Sequence, residues 1–129
     1  MSERLVGIVF AHADVAAAFV TAVGAIAGDD HGLIAVSNDG CDKAALTRAL
    51  ELAVAGRPAV VFADLPGGSC AFSAAAYARS HPNVRLVTGV NLAMLLDFAF
   101  HRDLSPADAA RRALETGRNA VTTPPPGGP

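Results

Sequence analysis

The sequence predicts an α/β fold, a doubly wound parallel sheet with helices on both faces. Three observations carry this. Short β-rich apolar runs alternate with segments of helical spacing along nearly the whole chain. The runs at residues 5–10 and 59–63 lack the polar alternation of a half-exposed strand, so they suit strands buried on both faces. The chain is 52% hydrophobic but only 5% aromatic and has no Trp. A core of that kind is built by close helix–sheet approach through small side chains.

Each element follows in order. Residues 5–10 form the first strand, which ends abruptly in His12 and Asp14. Val15, Phe19, Ala22, Val23 and Ile26 recur at three- and four-residue spacing, with Asp14 as N-cap and a turn from Gly28 to Gly32 closing the helix. Residues 33–36 form a second strand, followed by the turn Ser37-Asn38-Asp39-Gly40. Asp42 caps a helix through Ala53, and Gly56 ends it. Residues 59–63 form a third strand that leaves through Asp64-Leu65-Pro66-Gly67-Gly68-Ser69 into an alanine-rich helix to Arg79. After the loop His81-Pro82-Asn83, residues 84–88 make a fourth strand, and Gly89-Val90-Asn91 leads into a helix over 92–100. Ser105-Pro106-Ala107-Asp108 is a strong helix start, with a serine cap, a proline at the first position and an acid three residues on; this helix runs to Glu115. The Pro/Gly-rich stretch 122–129 cannot continue helix or sheet, so the reading is one domain over 1–121 and a tail or linker over 122–129.

Composition narrows the function. A net charge of -2, without a Lys/Arg cluster, argues against nucleic acid as a partner. No apolar run approaches the roughly 20 residues of a spanning helix. Met1-Ser2-Glu3-Arg4 lacks the form of a signal peptide, and Cys41 and Cys70 read as thiols of a reducing compartment. A cytoplasmic chain is expected.

The chemistry points to one rim. In a doubly wound sheet the carboxyl ends of the first and third strands are neighbours near the switch point where such folds place their ligands. His12 and Asp64 would meet there. A carboxylate accepting from one ring nitrogen sets the tautomer and leaves the other nitrogen as a nucleophile. The plainer alternative is a polar loop histidine and a turn-forming aspartate. Gly67-Gly68-Ser69, just before a helix, offers bare N–H groups and a hydroxyl, an anion site or simply a tight turn with Ser69 as cap. No Lys follows these glycines, so they are not a P-loop, and Gly7 inside the first strand begins no dinucleotide fingerprint. Asn91 either lines the same pocket or caps the next helix. Cys70 lies where a helix dipole lowers a thiol pKa, but is read as a packing residue. For a metal, the candidate pair His12-x-Asp14 has no support from His31, His81 or His101, so no metal site is expected.

Together Gly7-Ile8-Val9-Phe10-Ala11-His12, Phe62-Ala63-Asp64-Leu65-Pro66-Gly67-Gly68-Ser69, Gly89-Val90-Asn91-Leu92-Ala93-Met94-Leu95 and Ala113-Leu114-Glu115-Thr116-Gly117-Arg118 resemble the mannose-type (mannose/fructose/sorbose) enzyme IIA family of the bacterial phosphoenolpyruvate-dependent sugar phosphotransferase system. The likeness spans nearly the whole length. It implies a flavodoxin-like, mostly parallel sheet of order 2-1-3-4. It also implies a homodimer that exchanges an antiparallel edge strand, here near the C-terminus. By the same likeness His12 accepts a phosphoryl group from the carrier protein HPr and passes it to a IIB component, Asp64 orients the ring, and Ser69 with Gly67 and Gly68 binds the phosphate. No cofactor is implied, because the donor brings its own activated phosphate and neither nucleotide nor Mg²⁺ is required. The membrane enters only through the permease the IIB component serves. Three positions depart from the pattern: Ala13 where the family has glycine, Asp14 with a charge two residues from the acceptor, and Cys70 where proline is common. Two rival readings stand beside transport. One is a regulatory module reporting the phosphorylation state of His12, the other a flavodoxin-like domain for a small ligand.

Overall fold

The computed structural model describes residues 4–125. The start at residues 1–3 and the tail residues 126–129 lie outside the described residues. Nine elements alternate as expected: β1 (Val6–Ala11), α1 (Val15–Ala27), β2 (Leu33–Ser37), α2 (Lys43–Val54), β3 (Ala59–Ala63), α3 (Ser69–Ser80), β4 (Val84–Thr88), α4 (Leu92–Ala99) and α5 (Pro106–Asn119). The four strands form one sheet of order β2-β1-β3-β4, and every pairing is parallel. This is the 2-1-3-4 order the resemblance implied. Among the described residues there is no antiparallel fifth strand. Residues 121–125 carry neither helix nor strand, and Pro124 and Pro125 lack the N–H groups that a ladder needs.

The two central strands are buried along their whole length, whereas β2 and β4 are partly exposed edges. Period-2 alternation then divides the core. Val9, Ala11, Val60 and Phe62 pack with Val23, Met94, Leu95, Phe98 and Ala113 on the α1/α4/α5 face. Val6, Ile8, Phe10 and Val61 pack with Leu46, Leu50, Val54, Cys70 and Tyr77 on the α2/α3 face. Small residues permit the close approach that the composition suggested. A Cβ on Gly7 would lie 2.6 Å from Leu33 Cδ2 and 2.7 Å from Phe98 Cε2. Phe98 in turn meets Phe62 edge-on, with centroids 5.4 Å apart.

Helix starts separate by cap chemistry. Asp42, Asn91 and Ser105 each accept a backbone N–H three residues on, at 2.8, 3.0 and 3.1 Å. Asp14 occupies the N-cap of α1 but makes no side-chain cap bond, because its φ of -93° and ψ of 6° are not the extended conformation a capping side chain needs. The helix starts instead with the backbone bond from Ala18 N–H to the Asp14 carbonyl. The last helix continues four residues past Glu115, to Asn119. Gly117 lies in this extension and is buried against α4. A Cβ on it would lie 2.5 Å from Met94 Cε, and its carbonyl accepts from Asn91 Nδ2 at 2.9 Å.

Candidate functional site

Parallel pairing of β1 with β3, in register Phe10 to Ala63, carries the residues that follow both strands to one rim. There the His12 backbone N–H donates to Asp64 Oδ2 at 3.0 Å, and His12 Nδ1 lies 2.8 Å from the same oxygen. Asp64 Oδ1 accepts the Leu65 N–H at 3.0 Å. Burial works to raise the Asp64 carboxyl, but the bonds from the His12 N–H and ring outweigh it and hold the group below its ordinary range. An ionised carboxylate only accepts, so Nδ1 carries a ring proton, and in the neutral ring Nε2 keeps its lone pair. The His12 side chain is 38% exposed and that of Asp64 14%, so the ring faces solvent while its partner is largely covered.

The loop after β3 supplies the floor. A Cβ on Gly68 would lie 3.0 Å from His12 Cε1 and 3.7 Å from Nε2, so the ring rests against bare backbone. Gly68 is also the N-cap of α3 and offers no side chain to the first-turn N–H groups. Those donors, unlike the ones of α2, α4 and α5, have no side-chain cap. Ser69 is the first helical residue and is exposed, as is Gly67. The arrangement sets the second ring nitrogen, Nε2, beside a helix start of a kind suited to an anion.

Two supports were not legible as such in the sequence. Ser37 Oγ donates to the Ala13 carbonyl at 2.8 Å, and Asn38 Oδ1 accepts the Ala13 N–H at 3.2 Å. The β2–α2 turn thereby clamps the residue after His12 on both sides. Ala13 is held at a φ of 50°, the left-handed region that favours glycine. This explains what a glycine at this position would supply and what Ala13 must tolerate. Asp14 is exposed, so its charge lies toward solvent.

Asn91 serves as a cap: Oδ1 accepts from Met94 and Nδ2 donates to Gly117, which engages both ends of its amide. Cys70 is fully buried, and its thiol is pushed up to about 11 by burial and by the Asp64 charge. The shift is upward, opposite to the lowering expected at a helix start, and Cys70 packs in the α2/α3 core. Among the described residues no helix is long and apolar enough to cross a membrane.

Known proteins share this fold. Among curated proteins the sequence has no match. A solved phosphotransferase system component EIIA from Streptococcus agalactiae superposes with a TM-score of 0.86 at 18% identity, covering 92% of this chain and 96% of that one. A mannose/sorbose specific IIA subunit from Enterococcus faecalis gives a TM-score of 0.84 at 23% identity over 95% of this chain and 96% of that one. At these identities the likeness concerns the fold. The family described as PTS system fructose IIA component, EIIA-man, matches residues 7–115. With most of the sequence inside that match, the chain belongs to the mannose-type IIA family of the sugar phosphotransferase system.

Proposed function

We propose that this chain is a histidine phosphocarrier, accepting a phosphoryl group from phospho-HPr on His12 Nε2 and delivering it to a IIB component for sugar uptake. The observation that carries the reading is the 2.8 Å contact between His12 Nδ1 and the ionised Asp64, which leaves Nε2 as the free nucleophile. In the transfer the Nε2–phosphorus bond forms as the nitrogen–phosphorus bond of the donor histidine breaks. The modified ring gains positive character, which the Asp64 carboxylate balances. The open N–H groups of α3, with the Ser69 hydroxyl, are suited to the phosphoryl oxygens. Bond energies on the two sides are nearly matched, so the protein supplies position and charge stabilisation rather than driving force.

Exposed apolar side chains on the loop and helix that follow Asp64 favour a protein donor. Leu65 is 55% exposed and Phe72 is 69% exposed, one in the loop and one on the first turns of α3. Such residues suit a transient protein contact better than a small substrate. The reading includes a cytoplasmic location and a homodimer, for which the unpaired edge of β4 offers a surface. Incubation with phosphoenolpyruvate, enzyme I and HPr should add one acid-labile phosphoryl group per chain by intact mass. No adduct, where a known IIA protein is labelled, would overturn the reading.

A further inference from the structure

Cys70 stands directly behind the His12–Asp64 pair and has no part in the proposed transfer. One ring nitrogen of His12, one carboxylate oxygen of Asp64 and Cys70 Sγ all lie within 4.8 Å of one another, and no other such group of three occurs among the described residues. We propose that this trio binds a soft divalent cation of the zinc–cadmium class, and that the bound ion competes with phosphoryl acceptance at His12.

The donor set and spacing carry the first half. Ligands about 2.0–2.3 Å from zinc lie about 3.3–3.7 Å apart around a tetrahedron. The His12–Asp64 contact of 2.8 Å must open slightly, and a thiol within 4.8 Å must close slightly. Both adjustments are small side-chain rotations. Thiolate with imidazole selects zinc or cadmium over magnesium and calcium, which prefer all-oxygen shells. Three protein ligands leave a fourth position for water, and the exposed side of His12 provides it. Spacing along the sequence did not reveal this set. Its members become neighbours only because β1 pairs with β3 and α3 begins at the same rim.

Competition follows from the ring itself. On binding, Cys70 loses its thiol proton to water and a sulfur–metal bond forms. If the ion takes His12 Nε2, the lone pair meant for phosphorus is consumed. If it takes Nδ1, the ring proton moves through solvent to Nε2, and that nitrogen becomes an N–H donor. In either case the ring accepts no phosphoryl group. By linkage, a phosphorylated ring binds the ion correspondingly less well. Binding stands on the geometry alone, whereas the competition rests on His12 being the acceptor.

Two measurements on the full chain separate these parts. Titration of the unphosphorylated protein with CdCl₂ should show one saturable equivalent with cadmium–thiolate absorption in the ultraviolet. The absorption should vanish in Cys70→Ser and persist in Cys41→Ser, and affinity should fall at least about tenfold in His12→Ala, a part-exposed position outside the core that keeps the test valid if Cys70→Ser folds poorly. No absorption in the wild type, loss with Cys41→Ser, or unchanged affinity in His12→Ala would each overturn the site. Zn²⁺ added to wild type with purified phospho-HPr, free of enzyme I, should block phosphoryl uptake, and a chelator should restore it. Uptake indifferent to Zn²⁺ in a protein that binds Cd²⁺ would overturn the competition. Cadmium binding without any phosphoryl uptake in metal-free buffer would instead sink the phosphocarrier reading and leave the metal site standing.

Discussion

The two ends of the sheet use similar side chains for different purposes. At the amino end of the strands, charged and aromatic groups serve the backbone beside them. His31 Nδ1 accepts the Leu33 N–H two residues on, at 2.9 Å. His81 Nδ1 lies 2.8 Å from the Tyr77 carbonyl four residues back, with its ring stacked on the tyrosine. His101 Nδ1 lies 2.7 Å from the Asp97 carbonyl, again four residues back. Arg57 donates to the Ala53 and Val54 carbonyls that end α2. At the carboxyl rim, by contrast, His12 bonds a carboxylate 52 positions away. A ring tied to a nearby carbonyl completes a turn. A ring tied across strands to an ionised acid has its tautomer set and its second nitrogen left for chemistry. The partner of a histidine, more than the histidine, separates scaffold from site.

That contrast can be broken or sharpened by mutation, and the largest effect is expected at the ring itself. His12→Ala should abolish phosphoryl uptake in the phosphoenolpyruvate, enzyme I and HPr assay, and full uptake on another histidine would erase the distinction between the two ends. Asp64→Asn should fold normally yet slow uptake by about 10²–10³-fold, because the amide no longer offers a charged double acceptor. The same variant tests stability against pH. The folded Asp64 carboxyl is held below its ordinary value, so its stabilisation is present above about pH 4 and is lost as pH falls through the lower folded value. In urea unfolding between about pH 3 and 7, the wild type should lose more stability at the acid end than Asp64→Asn does.

Smaller effects follow. Gly68→Ala places a Cβ 3.0 Å from His12 Cε1. Displacing the ring should slow uptake about tenfold with little change in melting temperature, and an unchanged rate would show that the ring has room to move. At the opposite end, His81→Ala should leave uptake untouched and cost about 1 kcal/mol in urea unfolding, from one lost bond and its stacking. Any slowing of uptake by that variant would join the two ends that are separated above. Ala13→Gly relieves the left-handed strain but adds freedom to the unfolded chain, so a gain of at most about 1 kcal/mol is expected by the same method.

Much of this was legible before folding, and the residues show where legibility stopped. The strands at Ala59–Ala63 and Val84–Thr88 have the boundaries that their apolar runs predict. Asp42 and Ser105 cap the helices they precede. The pairing of His12 with Asp64 followed from topology once strand alternation was recognised. Asp14 failed as a capping side chain because the turn after His12 is shaped by Ser37 and Asn38, more than twenty residues on. Helix α5 runs past its predicted end because Gly117 packs against Met94 and accepts a bond from Asn91, contacts that only the fold supplies. Cys70 packs in the core as its small apolar side chain suggested, and that burial, with the neighbouring Asp64 carboxylate, raises its thiol pKa instead of lowering it.

By itself the sequence determined which segments become strands and helices, in what order, and which residues lead each strand toward the rim. Those properties depend on hydrophobic period and cap chemistry, which act within a few residues. Only the tertiary structure decided what surrounds the His12–Asp64 pair: Ser37 and Asn38 around Ala13, Gly68 against the ring, and Cys70 behind the imidazole. Such partners depend on strand register and helix approach, and a side chain acquires them only when distant segments are packed together.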